Sequence, residues 1–257
     1  MLIFLCALPF ILYALQNLKI WNFNRNLKNR NLAKNKFIVI SGCDSGFGYI
    51  LARKLDSFGA KVLAICLKEK GAHKLSEQSS TRLETVVLDI TDFKSVSEAM
   101  KKYKSCQIYA LINNAGILDG SYIEFTQFQM YEKIMKTNYL GAVNLTKELI
   151  PLIEKNGRVV NICSSLSFES MPNFSAYSAS KFALRSFTDT LRREMAFRDI
   201  KVSAIFPGLH NTNLLDNFLG KTVPKACKDG VQNGYGSSFK ADYESVVNLY
   251  MKFVKVI

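Results

Sequence analysis

Tyr177 and Lys181 are the two residues of this sequence best placed to exchange a proton with a bound molecule. Residues spaced i and i+4 share one face of a helix. A tyrosine hydroxyl has a reference pKa of about 10, and a nearby ammonium group favours its deprotonated form. Ser164 and Ser165 precede the pair, and a serine hydroxyl can donate to an oxygen on which charge develops. The pattern indicates acid–base chemistry at an oxygen, although an exposed helical Tyr/Lys pair would have the same spacing.

A glycine-rich turn, SGCDSGFG at residues 41–48, lies between an apolar run and a helical pattern. Gly42 would permit a tight turn, Gly46 would let the backbone approach a pyrophosphate, and Gly48 would let the helix pack against the strand. The helix N-terminus would then face the phosphates. A flexible turn without a ligand is the alternative. The cofactor-binding candidates in this turn are Gly42, Asp44, Ser45, Gly46, Phe47 and Gly48.

Two further strand ends fit the same ligand. Asp89 and Ile90 end one apolar run, where the carboxylate could accept a hydrogen bond from an adenine amino group. Another run ends in Asn113-Asn114-Ala115-Gly116. Its small residues would let a ribose or a nicotinamide lie against the backbone, so Asn114, Ala115 and Gly116 are cofactor-binding candidates.

The elements that must position these residues alternate along the chain. Helices are predicted after the glycine turn and at 92–104, 126–155 (one or two, ending at Gly157) and 176–198. Short β-branched runs predict six strands, the fourth including its exit turn, at 36–41, 61–67, 83–89, 107–116, 157–165 and 199–208. This alternation predicts an α/β fold with a doubly wound parallel sheet of the Rossmann type in a single domain.

Composition excludes several other classes. The chain has 257 residues, of which 48% are hydrophobic and 21% charged, and this balance argues against disorder. Six cysteines without C-x-x-C spacing argue against a zinc ribbon or a disulfide scaffold, so we expect reduced thiols and no metal site. The net charge is +13. The basic excess is dense near the amino terminus, where six cations occur without an acid: Lys19, Arg25, Lys28, Arg30, Lys34 and Lys36.

The amino-terminal segment predicts membrane attachment. Residues 1–18 carry no charged side chain and approach the length of a spanning helix, so we expect a membrane anchor followed by a basic linker at 19–35. The cations after the apolar run favour a cytosolic catalytic domain if the anchor spans the bilayer. A cleaved signal peptide and a buried core helix are the alternatives. Nucleic-acid binding is not expected, because no aromatic residues interleave a basic patch.

Taken together, the motifs resemble the short-chain dehydrogenase/reductase family over roughly residues 36–212. Four stretches look like the retinol dehydrogenase and hydroxysteroid dehydrogenase subgroup: SGCDSGFGYILARKLDSFG, VLAICLKEKGAHKL, RLETVVLDIT and SFTDTLRREM. The resemblance implies an oxidoreductase that transfers a hydride between a nicotinamide cofactor and the alcohol or ketone group of a lipophilic substrate, a retinol or a hydroxysteroid. It also implies an endoplasmic reticulum membrane location and allows a homodimer.

The resemblance implies roles for four catalytic residues. Tyr177 would be the general acid/base, and Lys181 would lower its pKa and hold the nicotinamide ribose. Ser164 would bind the reacting oxygen, since it follows Asn161 by three as in the family's Asn-x-Ser-Ser run; Cys163 stands where that run has its first serine, and Ser165 is the weaker candidate. Asn138 would anchor a water-linked proton relay to Lys181, with a solvated or helix-bending Asn as the alternative.

The resemblance also implies cofactor contacts from Tyr177, Lys181, Pro207, Gly208 and Thr212. Thr212 would touch the nicotinamide amide or a phosphate. NAD is the expected cofactor because Asp44 would disfavour a 2′-phosphate. NADP is the alternative, because Lys68 could accept that phosphate.

The carboxyl-terminal part departs from the family pattern. Residues 36–257 form the expected dehydrogenase domain, in which 209–257 resemble a substrate-covering segment, and the last strand of the family's sheet is expected to be missing. The alternative function is therefore a catalytically inactive, cofactor-binding scaffold of the same fold.

Overall fold

The fold is a single parallel sheet flanked by helices, and the computed structural model describes residues 33–208 of the chain. Within this range six strands pair in the order β3-β2-β1-β4-β5-β6. Their bounds are β1 Phe37–Ser41, β2 Lys61–Cys66, β3 Leu83–Val87, β4 Ile108–Asn113, β5 Ile153–Ile162 and β6 Lys201–Ile205. Because the chain order reverses between β1 and β4, the carboxyl ends of these two strands flank the crevice in which such sheets bind ligands. The predicted doubly wound sheet is confirmed.

Helices connect the strands. Short 3₁₀ turns and one π-helical turn, Lys136–Leu140, extend or join them. The α-helices are α1 Gly46–Ser57, α2 Glu69–Glu77, α3 Phe93–Met100, α4 Phe128–Met135, α5 Gly141–Leu149 and α6 Ser175–Met195. The π-helical turn joins α4 to α5 and carries Asn138, one of the predicted catalytic residues.

The core lies on both faces of the sheet. Within β1, Val39 packs into one buried cluster, whereas Ile38 and Ile40 pack into the cluster on the opposite face. This alternation explains why the central strands are apolar at successive positions, as expected for parallel strands covered on both faces. The rigid sheet fixes the strand ends that carry the candidate site.

The helix predicted over 126–155 is too long. The helical segment ends in a 3₁₀ turn at Ile150–Leu152, and β5 already begins at Ile153 rather than at residue 157. Ile153 pairs with Ile108 and Arg158 with Ala110, so β5 contains an irregular insertion in this interval. Asn156 adopts a positive φ of 64° within it. No hydrophobic periodicity marks such a bulge.

Other boundaries differ by smaller amounts. The predicted third, fifth and sixth strands extend beyond the ladder, which ends at Val87, Ile162 and Ile205. In α1 the helical spacing of Ile50, Leu51, Leu55 and Phe58 predicts the apolar face, and this prediction is partly wrong. Ile50 is 63% exposed, and the helix buries Gly48, Ala52 and Asp56 instead. The close packing of Gly48 and Ala52 against the sheet decides which face is buried.

Several predictions concern residues outside the described range. These are the anchor at 1–18, the linker up to residue 32, Thr212, and the segment 209–257 with its expected lack of a last strand. In the part of the chain that is described, no helix has the length and apolar character needed to cross a bilayer.

Candidate active site

The glycine turn forms a phosphate-sized cradle at the start of α1. Gly42 has a φ of 73°, and a Cβ atom there would lie 2.6 Å from the Cα of Ala115. A Cβ at Gly48 would lie 2.2 Å from the carbonyl oxygen of Gly42. Gly46 differs, because it has a φ of 60° and no heavy atom lies within 4 Å of its Cβ position. The turn is therefore closed on its protein side and open beside Gly46, as an approaching pyrophosphate requires.

The first turn of α1 is left available to an anion. Ser45 occupies the N-cap position, but its side chain accepts no hydrogen bond from the helix. The first N–H groups of a helix lack partners within the helix and carry its positive dipole end. These donors and the open side of Gly46 fit the diphosphate of a dinucleotide.

Asn114 connects the glycine turn to the end of β4. Its side-chain amide donates hydrogen bonds to the carbonyl oxygens of Ser41 at 3.0 Å and Gly42 at 2.9 Å. The Ser41 hydroxyl in turn accepts hydrogen bonds from the N–H groups of Asn114 and Ala115, each at 3.1 Å. The side chain of Asn114 thus positions the turn. Ser41 is a residue that the sequence prediction missed, since a serine at a strand end has no distinctive pattern.

Asp44 connects the same turn to the end of β2. Its carboxylate accepts hydrogen bonds from the backbone N–H groups of Leu67 and Lys68, both at 2.8 Å. A Cβ at Gly71 would lie 2.7 Å from an Asp44 oxygen, so α2 begins directly beside the carboxylate. A fixed negative charge therefore lies between the ends of β1 and β2.

The thiols near Asp44 remain protonated. Burial, and after it the Asp44 charge, raise the pKa of Cys66 to about 12. Burial is also the largest cause of the raised pKa of Cys43, followed by the charges of Cys66 and Asp44. Within residues 33–208 the four cysteines are free, as predicted, and Cys106 is the one that is only partly buried. No cluster there has the composition of a metal site.

Asp89 and Ile90 follow β3 in a tight turn. The Asp89 carboxylate is exposed and accepts a hydrogen bond from the N–H of Thr91 at 2.8 Å. Ile90 is 5% exposed, and a Cβ at Gly141 would lie 2.7 Å from its Cδ1 atom. The Ile90 side chain thus packs on α5 and holds the turn, while the Asp89 side chain stays accessible to a ligand.

Asn138 joins three parts of the site from the π-helical turn, a rare element that is frequent at functional sites. Its side-chain oxygen accepts from the N–H of Ile117 at 2.8 Å. Its amide nitrogen donates to the Ile117 carbonyl and to the Ser180 hydroxyl, each at 3.0 Å. A Cβ at Gly116 would lie 3.3 Å from Asn138 Oδ1 and 3.6 Å from Lys181 Nζ. The structure therefore brings Asn138, Gly116 and Lys181 together.

Ser164 and Tyr177, two of the predicted catalytic residues, lie beside each other. Ser164 precedes a 3₁₀ turn, Ser165–Ser167, and its oxygen accepts from the N–H of Leu166 at 3.2 Å. The Ser164 side chain lies close enough to the Tyr177 hydroxyl to lower its pKa. Ser165 is exposed within the 3₁₀ turn. The geometry brings Ser164, and not Ser165, to the tyrosine.

Burial sets the protonation of the Tyr/Lys pair. It raises the pKa of Tyr177, an effect that the hydrogen bond from Ser164 opposes by lowering that pKa. Burial lowers the pKa of Lys181 to about 8. Lys181 Nζ donates to the Ile162 carbonyl at 2.8 Å and lies 5.7 Å from the centre of the Tyr177 ring. Burial is the largest cause of the raised Tyr177 pKa and Lys181 is not among its causes, so the structure does not show the predicted lowering of the Tyr177 pKa by Lys181.

A buried polar network lies beneath the site and was not predicted. Asn113 donates to Thr146 Oγ1 and to Asn161 Oδ1, each at 2.8 Å. Asn161 donates in turn to Thr188 Oγ1 at 2.8 Å. These bonds fix the ends of β4 and β5 to helices α5 and α6. The sequence signal for this network was the presence of the polar residues Asn113 and Asn161 within the otherwise apolar runs of β4 and β5.

The end of β6 brings Pro207 and Gly208 to the same side of the sheet. The Pro207 carbonyl accepts from the N–H of Ser165 at 3.0 Å, which places the two residues beside the turn after Ser164. No heavy atom lies within 4 Å of the Cβ position of Gly208. The space at this Cβ position is compatible with the predicted cofactor contact.

A glycine cradle at a sheet switch point, with a buried Ser/Tyr/Lys set beside it, defines a nicotinamide-dependent oxidoreductase of the Rossmann type. The family model for short chain dehydrogenase matches residues 36–221. The chain belongs to the short-chain dehydrogenase/reductase family, within its subgroup of retinol and hydroxysteroid dehydrogenases. Like its family, it acts on CH–OH groups with NAD(P) as cofactor.

Individual relatives agree with this assignment. Retinol dehydrogenase 7 of Rattus norvegicus is 37% identical, with 93% of this chain and 80% of the relative covered. Retinol dehydrogenase 16 of Homo sapiens is 40% identical, with 82% and 69% covered. The 17-beta-hydroxysteroid dehydrogenase type 6 of Bos taurus is 37% identical, with 83% and 70% covered.

Solved structures show the same fold. The 3-ketoacyl-(acyl-carrier-protein) reductase of Brucella melitensis complexed with NADH has a TM-score of 0.69 at 28% identity, covering 73% of this chain and 81% of that one. A short chain dehydrogenase of Burkholderia cenocepacia J2315 in complex with NADP has a TM-score of 0.65 at 27% identity, covering 72% and 77%.

Proposed function

We propose that the protein oxidises or reduces the alcohol or ketone group of a lipophilic substrate, a retinol or a hydroxysteroid, at the site formed by Ser164, Tyr177 and Lys181. The observation that carries this proposal is the placement of Ser164 beside the buried Tyr177, whose ring centre lies 5.7 Å from Nζ of the buried Lys181. Two hydroxyls arranged in this way can both reach one substrate oxygen, one to hold it and one to exchange its proton.

Each residue has a separate task in this proposal. Tyr177 gives a proton to the substrate oxygen during reduction and takes it during oxidation. Ser164 donates a hydrogen bond to the same oxygen and stabilises the charge that develops there. Lys181 supplies a positive charge that favours the deprotonated tyrosine. Asn138 holds the loop at Ile117 and the helix at Ser180, and so fixes the position of Lys181.

The cofactor would be held by the glycine turn and by the strand ends beside it. When bound, a nicotinamide cofactor supplies or accepts the hydride. Gly46 and the N-terminus of α1 would face the diphosphate, Asp89 would face the adenine, and Gly116 with Lys181 would face the nicotinamide ribose. Pro207, Gly208 and Thr212 would provide the remaining contacts with the cofactor.

NAD is the cofactor that we propose. The Asp44 carboxylate occupies the N–H groups of Leu67 and Lys68, so these donors are not free to bind a 2′-phosphate. The negative charge also repels such a phosphate. The exposed Lys68 side chain is the feature that would favour NADP instead.

A membrane setting supports the lipophilic substrate. The uncharged residues 1–18 and the basic residues that follow favour attachment to a bilayer, and we propose the endoplasmic reticulum. The names of the relatives, retinol dehydrogenases and a hydroxysteroid dehydrogenase, support the same substrate class. We also propose a homodimer as the assembly, which size-exclusion chromatography with light scattering would test.

The test is absorbance at the reduced-nicotinamide band with the full chain in detergent. All-trans-retinol and a 3-hydroxysteroid are offered with NAD and with NADP separately. Tyr177→Phe is the test variant. Tyr109→Phe, at the amino-terminal edge of the sheet, is the matched control. Turnover in wild type and control that is lost in Tyr177→Phe supports the proposal.

The alternative is a catalytically inactive scaffold that binds the cofactor. The buried Ser/Tyr/Lys set opposes it, because an inactive site has no need to hold these groups together. If the folded wild-type protein binds reduced cofactor but turns over neither substrate class, the scaffold function replaces the proposed enzymatic function.

A further inference from the structure

The amino-terminal edge of the sheet carries a row of cations that the dehydrogenase reaction does not use. Lys61 donates its N–H to the Lys36 carbonyl, and the N–H of Val62 donates to the Arg82 carbonyl. On the other side of β1, Arg158 is in register with Lys201. Five of the six strands therefore contribute a cation at or near their first paired residues, and β4 contributes a tyrosine. This cationic row consists of Arg82, Lys61, Lys36, Tyr109, Arg158 and Lys201.

Tyr109 lies between two of these cations. Lys36 Nζ and the Arg158 guanidinium carbon each lie 4.7 Å from the centre of its ring. Arg158 also donates a hydrogen bond to the Tyr109 hydroxyl. The ring therefore holds two positive charges close together on one edge, an arrangement that cation–π attraction stabilises.

Acidic side chains neutralise only part of this edge. Glu154 pairs with Lys36 at 2.6 Å, and Asp56 pairs with Arg82 at 3.4 Å. The nearby Asp199 pairs with Lys155 at 3.1 Å, outside the row. Lys61 and Lys201 are exposed and have no carboxylate partner among residues 33–208. The edge keeps a surplus of positive charge.

The basic leader, which comprises the predicted anchor and linker at residues 1–35, joins the domain at this same edge. The N–H of Asn35 donates to the Gly59 carbonyl at 2.9 Å, directly before β2, and Lys34 lies beside Gly59. The chain then enters β1, which is third of the six strands across the sheet. The cations of residues 19–36, which no acid accompanies, thus lead into the middle of the cationic row.

We propose that the cationic row lies on the anionic phospholipid headgroups of the membrane to which the leader attaches. This proposal rests on the membrane attachment proposed above. Cations close to an anionic leaflet are attracted to it, and the attraction falls off within a Debye length. A leader that ends in the middle of the row keeps the row within that distance.

The orientation has a consequence for the active site. Parallel strands rise about 3.3 Å per residue, so five-residue strands separate the cationic row from the carboxyl-terminal edge by roughly 17 Å. Ser164 and Tyr177 lie at that far edge. The two hydroxyls then lie on the side of the domain that is farther from the bilayer surface.

Amine-reactive footprinting of the full chain in lipid vesicles tests this orientation. Vesicles of phosphatidylcholine are compared with vesicles that also contain phosphatidylserine, and each lysine is quantified by mass spectrometry. Because one cation beside an anionic leaflet gains the equivalent of roughly fivefold in binding, we expect labelling of Lys61 and Lys201 to fall about fivefold with phosphatidylserine. Lys68 and Lys94, near the carboxyl-terminal edge, should label equally in both.

Charge reversal supplies the matched control. In Lys61→Glu/Lys201→Glu, labelling of Lys34 should no longer depend on phosphatidylserine, whereas Lys68→Glu/Lys94→Glu should retain that dependence. Equal labelling of Lys61 and Lys201 in the two lipid compositions would overturn the proposal. So would protection by added RNA in neutral vesicles without protection by phosphatidylserine. The footprint does not depend on turnover, so an inactive enzyme with a protected row leaves this orientation standing.

Discussion

The amide of Asn138 donates a hydrogen bond to the hydroxyl of Ser180, the residue directly before Lys181. Both side chains are fully buried. Through this bond the π-helical turn is tied to the first turns of α6, which carry Tyr177 and Lys181. The position of the lysine ammonium therefore depends on a contact made by its neighbour.

Ser180→Ala should weaken catalysis without removing any reacting group. The variant deletes an acceptor of Asn138 and the donor to the Tyr177 carbonyl, and we expect the free energy of unfolding to fall by about 1–3 kcal/mol. We expect kcat to fall more than KM rises, since Lys181 would be held less firmly. Steady-state kinetics and urea unfolding measure the two effects. Ser186→Ala, on an exposed part of α6, is the control. A variant with wild-type kcat would show that this bond does not position Lys181.

Asp44→Ser should shift cofactor preference toward NADP. The substitution removes a negative charge and frees a donor at the end of β2, so we expect the ratio of kcat/KM for NADP over NAD to rise by about tenfold or more. Lys68→Ala should lower the same ratio. Measuring this ratio of kcat/KM for both variants with one substrate tests the prediction. An unchanged ratio in Asp44→Ser would show that Asp44 does not set the cofactor preference.

The buried Lys181 should make the unliganded protein less stable at neutral pH. Its folded-state pKa of about 8 lies below the ordinary value of 10.5, so the unfolded chain binds more protons between these values. Its contribution to stability therefore increases as pH rises from 8 toward 10.5. Lys181→Met should be inactive but more stable at pH 7, by up to about 3 kcal/mol.

Urea unfolding of Lys181→Met and wild type at pH 7 and at pH 9.5 measures this difference. The advantage of the variant should shrink at the higher pH, because Lys181 is then neutral in the folded protein. An advantage that is the same at both pH values would contradict the assigned pKa direction.

Two alanine substitutions in the glycine turn should behave differently. Gly48→Ala places a Cβ 2.2 Å from the Gly42 carbonyl oxygen and should displace the turn, with loss of NADH binding. Gly46→Ala has space for its Cβ within the protein, so it should keep the turn in place and cost about 1 kcal/mol of stability through its φ of 60°. It should weaken NADH binding without abolishing it, because this Cβ enters the space assigned to the diphosphate. NADH fluorescence and thermal unfolding separate the two. Equal NADH affinity in Gly48→Ala and wild type would show that this close packing does not shape the cofactor site.

The sequence predicted the parts of the fold in which one pattern dominates. β1, β2 and β4 are continuous apolar runs buried on both faces, and Tyr177 and Lys181 have the spacing of one helical turn. The start of β5 was missed because residues 153–157 combine a positive φ with a register shift, which leaves no periodic signal.

Long-range contacts could not be read from local patterns. The bonds from Asp44 to β2 and from Asn161 to Thr188 join residues far apart in the chain. The raised pKa of Tyr177 likewise results from its burial by several elements together. The spacing of Tyr177 and Lys181 carries no information about that burial. Such properties follow from packing rather than from a motif.

The most direct test of the central claim is the rate of alcohol oxidation by Tyr177→Phe, with NADH binding measured on the same sample. General acid–base catalysis contributes roughly 10²–10⁴-fold, so the proposed role predicts a loss of that size with unchanged cofactor affinity. The substitution keeps the buried ring and removes only the hydroxyl beside Ser164. Turnover within a few fold of wild type would show that Tyr177 is not the group that exchanges the substrate proton.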